Sequence, residues 1–523
     1  MRIINKLAIA SLAVVMASGC SEDFLETAPS NAISEKIAEN TTQGLNAILE
    51  GIHNMMYMYN FGQRFAYGQA AMNAQLDIMG DDMINTLSGY HMQQYRFTGS
   101  RDISSDNGIN YKAWDYYYTV ILHTNKILGN VDKTPDLTPS DKATILGEAH
   151  AFRAWAYHNL VQLFAKRYEK GEANNHLGVI IRTPDKLEEP LPRSTVAEVY
   201  NYIDSDMAAA LSNLKNAPDK KRKNAIRYST ACGIAARIAL TKSDWENAEK
   251  YADIAMAESG ASLQKGMNLV SGFNNLNDTE WMWAYTQSVD QILGYGGFFS
   301  SYSYNFDDGW NDALRFSVNR DIYDLMGEKD VRRKWWVCLD RDDEIPADAF
   351  SIYFKGGTSK PNWETTGQSI KFKSRAAKDS RGDIFLMRLA EMYYIKAEAQ
   401  ARQGKYNEAQ TTLNTIMVTR DVEYNTTVTG EKLIEEIMRN KRIDLWMEGQ
   451  RFFDMKRLKE VHNRLNSKNI QQYLTGARKQ TAISRNSGNI VENVPTSPDS
   501  KYWQFLIPYA ELKGNPLIEQ NEL

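Results

Sequence analysis

Two stretches of this chain share one pattern, and that pattern limits the fold more than any other feature. Ile234-Ala235-Ala236-Arg237-Ile238-Ala239-Leu240 is followed by Asp244-Trp245-Glu246-Asn247-Ala248. Tyr394-Ile395-Lys396-Ala397-Glu398-Ala399 is followed by Lys405-Tyr406-Asn407-Glu408-Ala409. In each, an Ala-rich helix meets a short turn, then an aromatic residue, then an Ala three positions on. Small side chains let antiparallel helices approach closely, and the aromatic ring fills the gap at the turn. Each stretch therefore predicts a helical hairpin. The flanking sequence agrees. Thr144 to Tyr168 carries Ala149, Phe152, Ala156, Leu160 and Leu163 at spacings of three and four, a helical stripe. Thr195-Val196-Ala197-Glu198 is a capping box, because hydroxyl and carboxylate can each satisfy an orphan amide. It opens a helix with Val196, Val199, Ile203, Met207, Ala210 and Leu214 on one face and Pro218 just past its end.

The chain is thus mainly α, with tetratricopeptide-like hairpins. The copies are irregular and far apart, which argues against a plain solenoid. Between them, residues 262–382 differ in character. Glu280-Trp281-Met282-Trp283-Ala284-Tyr285 alternates like a strand, with Trp281 and Trp283 expected in the core. Gly294 to Gly309 is rich in Gly, Ser and aromatics, and Gly356 to Gly367 marks a second long loop. Long loops on a helical scaffold are where binding usually resides. Residues 85–110 and 466–500 also have loop character. The expected organisation is a leader at 1–19, helical regions at 20–261 and 383–523, and a loop-rich insertion with short strands at 262–382.

A chain of 523 residues exceeds one ordinary core. Its 61 Lys and Arg against 65 Asp and Glu leave no basic footprint for nucleic acid. Three cysteines exclude a disulfide scaffold, and apolar neighbours predict buried free thiols at Cys232 and Cys338. No HExxH, GxSxG or phosphate-loop motif occurs, and His150 and His158 lack a carboxylate arrangement that would make them a metal pair. Asp81-Asp82 and Asp307-Asp308 are adjacent carboxylates that point in different directions. An enzyme is not expected, nor a cofactor; calcium has acidic clusters to bind but no spaced ligand loop.

At the N-terminus, Arg2 and Lys6 precede an apolar run from Leu7 to Ala17, too short to span a bilayer. It ends in Ala17-Ser18-Gly19-Cys20, which resembles a bacterial lipoprotein-processing box. The expectation is a lipid on Cys20 that anchors an otherwise water-facing body. The following Ser21-Glu22-Asp23 resembles a surface-export signal of Gram-negative lipoproteins.

Several motifs together resemble the SusD/RagB family of nutrient-binding outer-membrane lipoproteins. They are Cys20-Ser21-Glu22-Asp23-Phe24-Leu25 with Pro29; Arg193-Ser194-Thr195-Val196 with Glu198-Val199-Tyr200; Leu445, Glu448-Gly449, Arg451, Phe453-Asp454 and Lys456-Arg457; and Ile507-Pro508, Glu511, Asn515-Pro516 and Gln520-Asn521. Asn440 and Asp444 stand where the family usually carries Glu, and the chain stops without the Gly-Tyr that commonly follows the Gln-Asn pair. The carboxylates and arginines from Asp444 to Arg457 are expected to form ion pairs along one helix, a structural role. The resemblance implies four tetratricopeptide-like helix pairs with a loop-rich insertion. It also implies a non-enzymatic surface protein that captures an oligosaccharide or polysaccharide and passes it to a SusC-like TonB-dependent transporter. Family members that take peptides or another nutrient are the alternative, as is a helical-repeat adaptor that binds only protein.

A sugar ring stacks its C–H face on an aromatic plane, and its hydroxyls need partners such as Asp, Asn, Gln and Arg. Trp310, beside Asp307, Asp308, Asn311 and Asp312, fits best. Tyr295, Tyr302 and Tyr304 lie in the same segment. Tyr90 with Gln93 and Gln94 is a candidate second wall, and Trp363 a third. Trp114, Tyr117 and Tyr118 sit in a helical stretch and are expected in the core.

Overall fold

Polar caps and apolar stripes set the helices. The computed structural model describes residues 40–523 except 63–65, 86–90, 105, 289, 292–295, 308–315, 339–340, 342, 350–366 and 471–493. Helix α1 (Thr42–Met58) starts where the Thr41 side chain accepts from the Gly44 amide. Helix α2 (Gly68–Ile78) is buried along nearly its whole length and leads to strand β1 (Met83–Asn85). Helix α3 (Ile109–Asn130) packs on α4 (Pro139–Phe164). Helix α4 begins a turn earlier than its apolar stripe, because Thr138 caps it and Pro139 occupies the first position, where a missing amide costs nothing. From Ala151 to Phe164 every residue of α4 is buried, which makes it the central helix of this half. Helix α5 (Val196–Asn216) carries both hydrogen bonds of the Thr195–Glu198 capping box and buries all six residues of its predicted stripe.

The two Ala-rich stretches form hairpins as expected. Helix α6 (Tyr228–Thr241) turns at Asp244, which caps α7 (Trp245–Ser259). Two antiparallel strands follow the chain further: β2 (Trp281–Tyr285), and, after β3 (Phe316–Val318), β4 (Trp336–Val337) and β5 (Gln368–Ser369), strand β6 (Ile384–Arg388). Strand β2 pairs with β6, and β1-β3-β5-β4 form a second small sheet. Helix α8 (Leu389–Arg402) then folds back on α9 (Tyr406–Met417). Despite their separation in sequence, the hairpins stack directly, α7 against α8. Gln400, Gln403 and Lys405 all bond the Glu249 carboxylate across that joint. The chain between α7 and α8 therefore leaves and rejoins neighbouring helices of one stack. Ala248 and Ala409 are fully buried, whereas Trp245 and Tyr406 are half-buried at the turns.

The larger of two hydrophobic clusters among the described residues runs from Leu45 to Ile507 and takes in Leu160, Trp283, Phe372 and Phe452, and the smaller gathers Ala397, Leu413 and Ile437. Strand β2 is buried at all five positions, so its alternation separates two packed faces rather than core from water. Trp281, Trp283, Trp114 and Tyr117 are core residues, and Tyr118 is half-buried. Cys232 and Cys338 are buried free thiols.

The segment from Asp444 to Arg457 is not one helix. Helix α10 (Glu431–Asp444) ends at Asp444, and α11 (Arg451–Arg457) begins after a turn. Gly449 in that turn has φ +83, and a Cβ there would lie 2.6 Å from the Asn73 side chain, so only glycine fits. Of the expected short-range pairs, Arg457–Asp454 at 2.7 Å is present. Most charges reach across the fold instead. Asp444 contacts Arg420 at 2.8 Å, Arg388 at 3.1 Å and Arg332 at 3.7 Å. Arg388 also contacts Glu280 at 2.7 Å and Glu448 at 2.8 Å, and Lys371 contacts Glu448 at 2.6 Å. Burial alone would raise the Asp444 carboxyl; the guanidinium groups of Arg420, Arg388 and Arg332 outweigh it and hold that carboxyl well below the usual range. This network ties the insertion, through Arg332 and Lys371, to the C-terminal helices. Asp81 and Asp82 are likewise taken, by Arg451 at 2.6 Å and Arg442 at 2.5 Å.

Candidate functional site

The small sheet sorts the loops that carry the sequence-predicted residues. Strands β1 and β3 are antiparallel with Asn85 opposite Phe316 and Met83 opposite Val318. The chain leaves β1 and enters β3 at the same end of the sheet. Just past Tyr90, the His91 ring stacks 6.2 Å from that of Tyr302, and Tyr95 lies 5.9 Å from Phe316. Strand β5 begins at the opposite end of the sheet, where the Gly367 amide donates to Val337 and the Val318 amide donates to Gly367. Cys20, Tyr90, Tyr295, Asp308, Trp310, Asn311 and Trp363 themselves lie outside the described residues.

Tyr302 and Tyr304 are described, and their environments differ. Tyr302 ends a single helical turn (Phe298–Tyr302) and is only 8% exposed. Its hydroxyl accepts from Gln75 Nε2 at 2.7 Å, and its ring lies 5.0 Å from Phe298. It pins the segment to the body and presents almost no surface to a ligand. Tyr304 is half-buried. Residues 304–307 run beside 372–378 as a hydrogen-bonded ribbon. The Tyr304 amide donates to Phe372, the Asn305 amide side chain bonds the backbone of Ser374 at both its oxygen and its nitrogen, and the Asp307 amide donates to Ala377. The ribbon fixes Tyr304 next to Lys373, whose ammonium lies 5.9 Å from the ring and 2.6 Å from Asp348. Burial, then the adjacent Asp348 carboxylate, pushes the Tyr304 phenol up. Lys378 closes on Asp307 at 3.0 Å and Arg375 on Asp383 at 2.6 Å.

The start of the same segment meets other half-buried rings. Gln291 donates to the Tyr57 hydroxyl at 3.3 Å, and Tyr57 stacks on Tyr285 at 5.3 Å. Gly296 sits so close to the Tyr67 ring that a Cβ would approach it to 2.2 Å. The described residues here offer an aromatic plane with a carboxylate and an ammonium beside its hydroxyl. That set can stack on a sugar face and bond hydroxyls. The described carboxylates of the ribbon are each paired with a cation, and no group of three or more His, Cys, Asp or Glu among the described residues could hold a metal. Asp348 and Lys373 carry no sequence signal that links them to Tyr304, because their approach depends on the ribbon.

Comparison with known proteins agrees with this architecture. The SusD family model matches residues 258–523, just over half of the chain. A second model, described as starch-binding associating with outer membrane, matches residues 23–240. SusD-like protein P2 of Formosa agariphila is 24% identical over 481 residues, which cover 84% of this chain and 88% of the relative. A SusD-like protein of Bacteroides ovatus is 21% identical over 486 residues, covering 86% and 82%. Among solved structures, a SusD-like carbohydrate binding protein from Bacteroides vulgatus aligns with a TM-score of 0.73 at 22% identity, over 92% of this chain and 99% of that one. A laminarin binding SusD-like protein aligns with a TM-score of 0.65 at 18% identity, over 92% and 99%. The structural likenesses carry the helical fold, and with the family model spanning more than half of its residues the chain belongs to the SusD family.

Proposed function

We propose that this protein is a lipid-anchored glycan-capture protein of the outer membrane. It faces the cell exterior, binds an oligosaccharide or polysaccharide, and delivers it to a SusC-like TonB-dependent transporter. The observation that carries the reading is Tyr304, half-buried on a hydrogen-bonded ribbon with Asp348 and Lys373 at its edge, immediately before the segment of Trp310. The family model described as starch-binding and associating with outer membrane supports glycan and location, and the laminarin binding relative supports a glucan-type ligand. In this reading Trp310, Tyr295 and Tyr304 stack on the sugar, Asp308 and Asn311 bond its hydroxyls, and Tyr90 contributes from the neighbouring loop. Trp363 contributes from its own connection, and Tyr302 acts by holding the segment. Binding, not bond cleavage, is the function.

Calorimetric titration of residues 21–523 tests the site. Tyr304→Ala is expected to weaken glycan binding about tenfold, the loss typical of one central aromatic contact; unchanged affinity would remove Tyr304 from the site. The anchor is tested in cells by labelling with a radioactive fatty acid. Label is expected on the wild type and absent from Cys20→Ala, with the variant released from the membrane fraction. Equal labelling of both would refute lipidation at Cys20.

A further inference from the structure

A cleft of about 140 Å³ lies at the N-terminus of α6, lined in part by Glu148, Lys215, Asp219, Lys220, Arg227 and Ser229. None of these belongs to the ribbon or to the loops discussed above. The first turn of α6 has its amides aimed outward, and the N-cap residue, Arg227, gives it no side-chain hydrogen bond. Ser229, in that turn, is 2% exposed, and its Oγ has no hydrogen-bond partner among the described residues. A buried hydroxyl without a partner calls for one. The chain from Lys215 to Arg227 carries six basic side chains and one acid, Asp219.

The acids at the cleft are largely taken. Asp219 is held by two nitrogens of Arg227, each at 2.7 Å. Glu148 pairs with His53 at 2.8 Å, accepts from the Ile226 amide at 2.9 Å and lies 3.5 Å from Lys220. Glu258 stands exposed at the rim. Arg222 pairs with Glu50, and Lys223 donates to the carbonyls of Leu276 and Asp278. Lys215, which lines the cleft, has no carboxylate partner among the described residues. A helix N-terminus repels cations and attracts anions, so the unspent donors define the ligand.

We propose that this cleft binds a small tetrahedral oxyanion, a phosphate or sulfate group, held by Ser229 Oγ, the first-turn amides of α6 and Lys215. At about 30 Å³ per water, the cleft has room for such a group with ordered water. The same group occurs free, as an ester on a sugar, or in a lipid headgroup.

The test uses residues 21–523, with thermal unfolding and calorimetry in sodium phosphate or sodium sulfate against sodium chloride at equal ionic strength. A saturable rise in Tm with phosphate or sulfate and not with chloride is expected. Lys215→Gln, an exposed change that spares the core, is expected to weaken that binding about tenfold, as loss of one charge-assisted contact does. Ser229→Ala is expected to weaken it as well, while Trp310→Ala leaves it intact. An equal rise in chloride, or binding undiminished in Lys215→Gln, would overturn the proposal. Sedimentation with phosphatidylglycerol vesicles then assigns the source. Lys215-dependent pelleting upholds the site as a headgroup site, and phosphate binding without pelleting upholds it as a site for a free or sugar-borne group.

Discussion

Asp444→Asn is expected to lower the unfolding free energy by about 3–5 kcal/mol, the usual loss when one member of a buried ion cluster is neutralised. The substitution keeps the shape of the side chain and removes its charge. Among the described residues, Arg388, Arg420 and Arg332 would then face one another with Glu280, Glu448 and Asp330 as their remaining carboxylate partners. A domain has only about 5–15 kcal/mol in hand, so the loss is a large fraction of the total. Because the carboxyl is held below its ordinary value, its contribution is complete above the ordinary pKa near 4 and disappears only as pH falls through the lower folded value. Equilibrium unfolding in urea at pH 7 reads the effect directly. A change under about 1 kcal/mol would show that the cluster does not hold the insertion to the helical stack.

Lys456 yields the second large effect, and it runs with pH. Its ammonium is buried and donates to the carbonyls of Gln162, of Ala165 at 2.7 Å and of Trp503 at 2.8 Å. Two of these acceptors lie at the C-terminus of α4, where the ammonium satisfies carbonyls the helix leaves open. Burial pushes the ammonium down to about 7. An unfolded lysine near 10.5 keeps a proton that the folded one releases between those values, so the unfolded state binds more protons there. Stability from this group therefore rises as pH increases above 7, by up to about 1.4 kcal/mol per pH unit, and is lost as pH falls through 7. Comparing wild type with Lys456→Met from pH 7 to 9 isolates the term. The gap between the two is expected to change with that slope in favour of the wild type; parallel curves would contradict it.

Local signals were legible in the sequence, and long-range ones were not. The Thr195 capping box, the stripe of α5 and the two Ala-rich hairpins are set by neighbours within a few positions, and all formed where expected. The Asp444–Arg457 segment looked like one helix because its charges fall at helical spacing. Gly449 breaks it, and the partners of Asp444, at Arg332, Arg388 and Arg420, come from other parts of the chain. The stacking of α7 on α8 was hidden for the same reason, since nothing in either hairpin names the other. At the candidate site, Tyr304 stood out as a loop aromatic, whereas Asp348 and Lys373 reach it only through the ribbon with residues 372–378. Tyr302 had the same sequence signature as Tyr304, and only packing against Phe298 and Gln75 separates the anchor from the half-open ring.

The most direct test of glycan capture is native affinity electrophoresis of residues 21–523 through gels containing plant, host and microbial polysaccharides, with Trp310→Ala alongside. One glycan class is expected to retard the wild type, and the variant is expected to run as it does in a glycan-free gel. Migration unaffected by every glycan would contradict glycan capture, and retardation that survives Trp310→Ala would contradict its placement on the 295–312 segment.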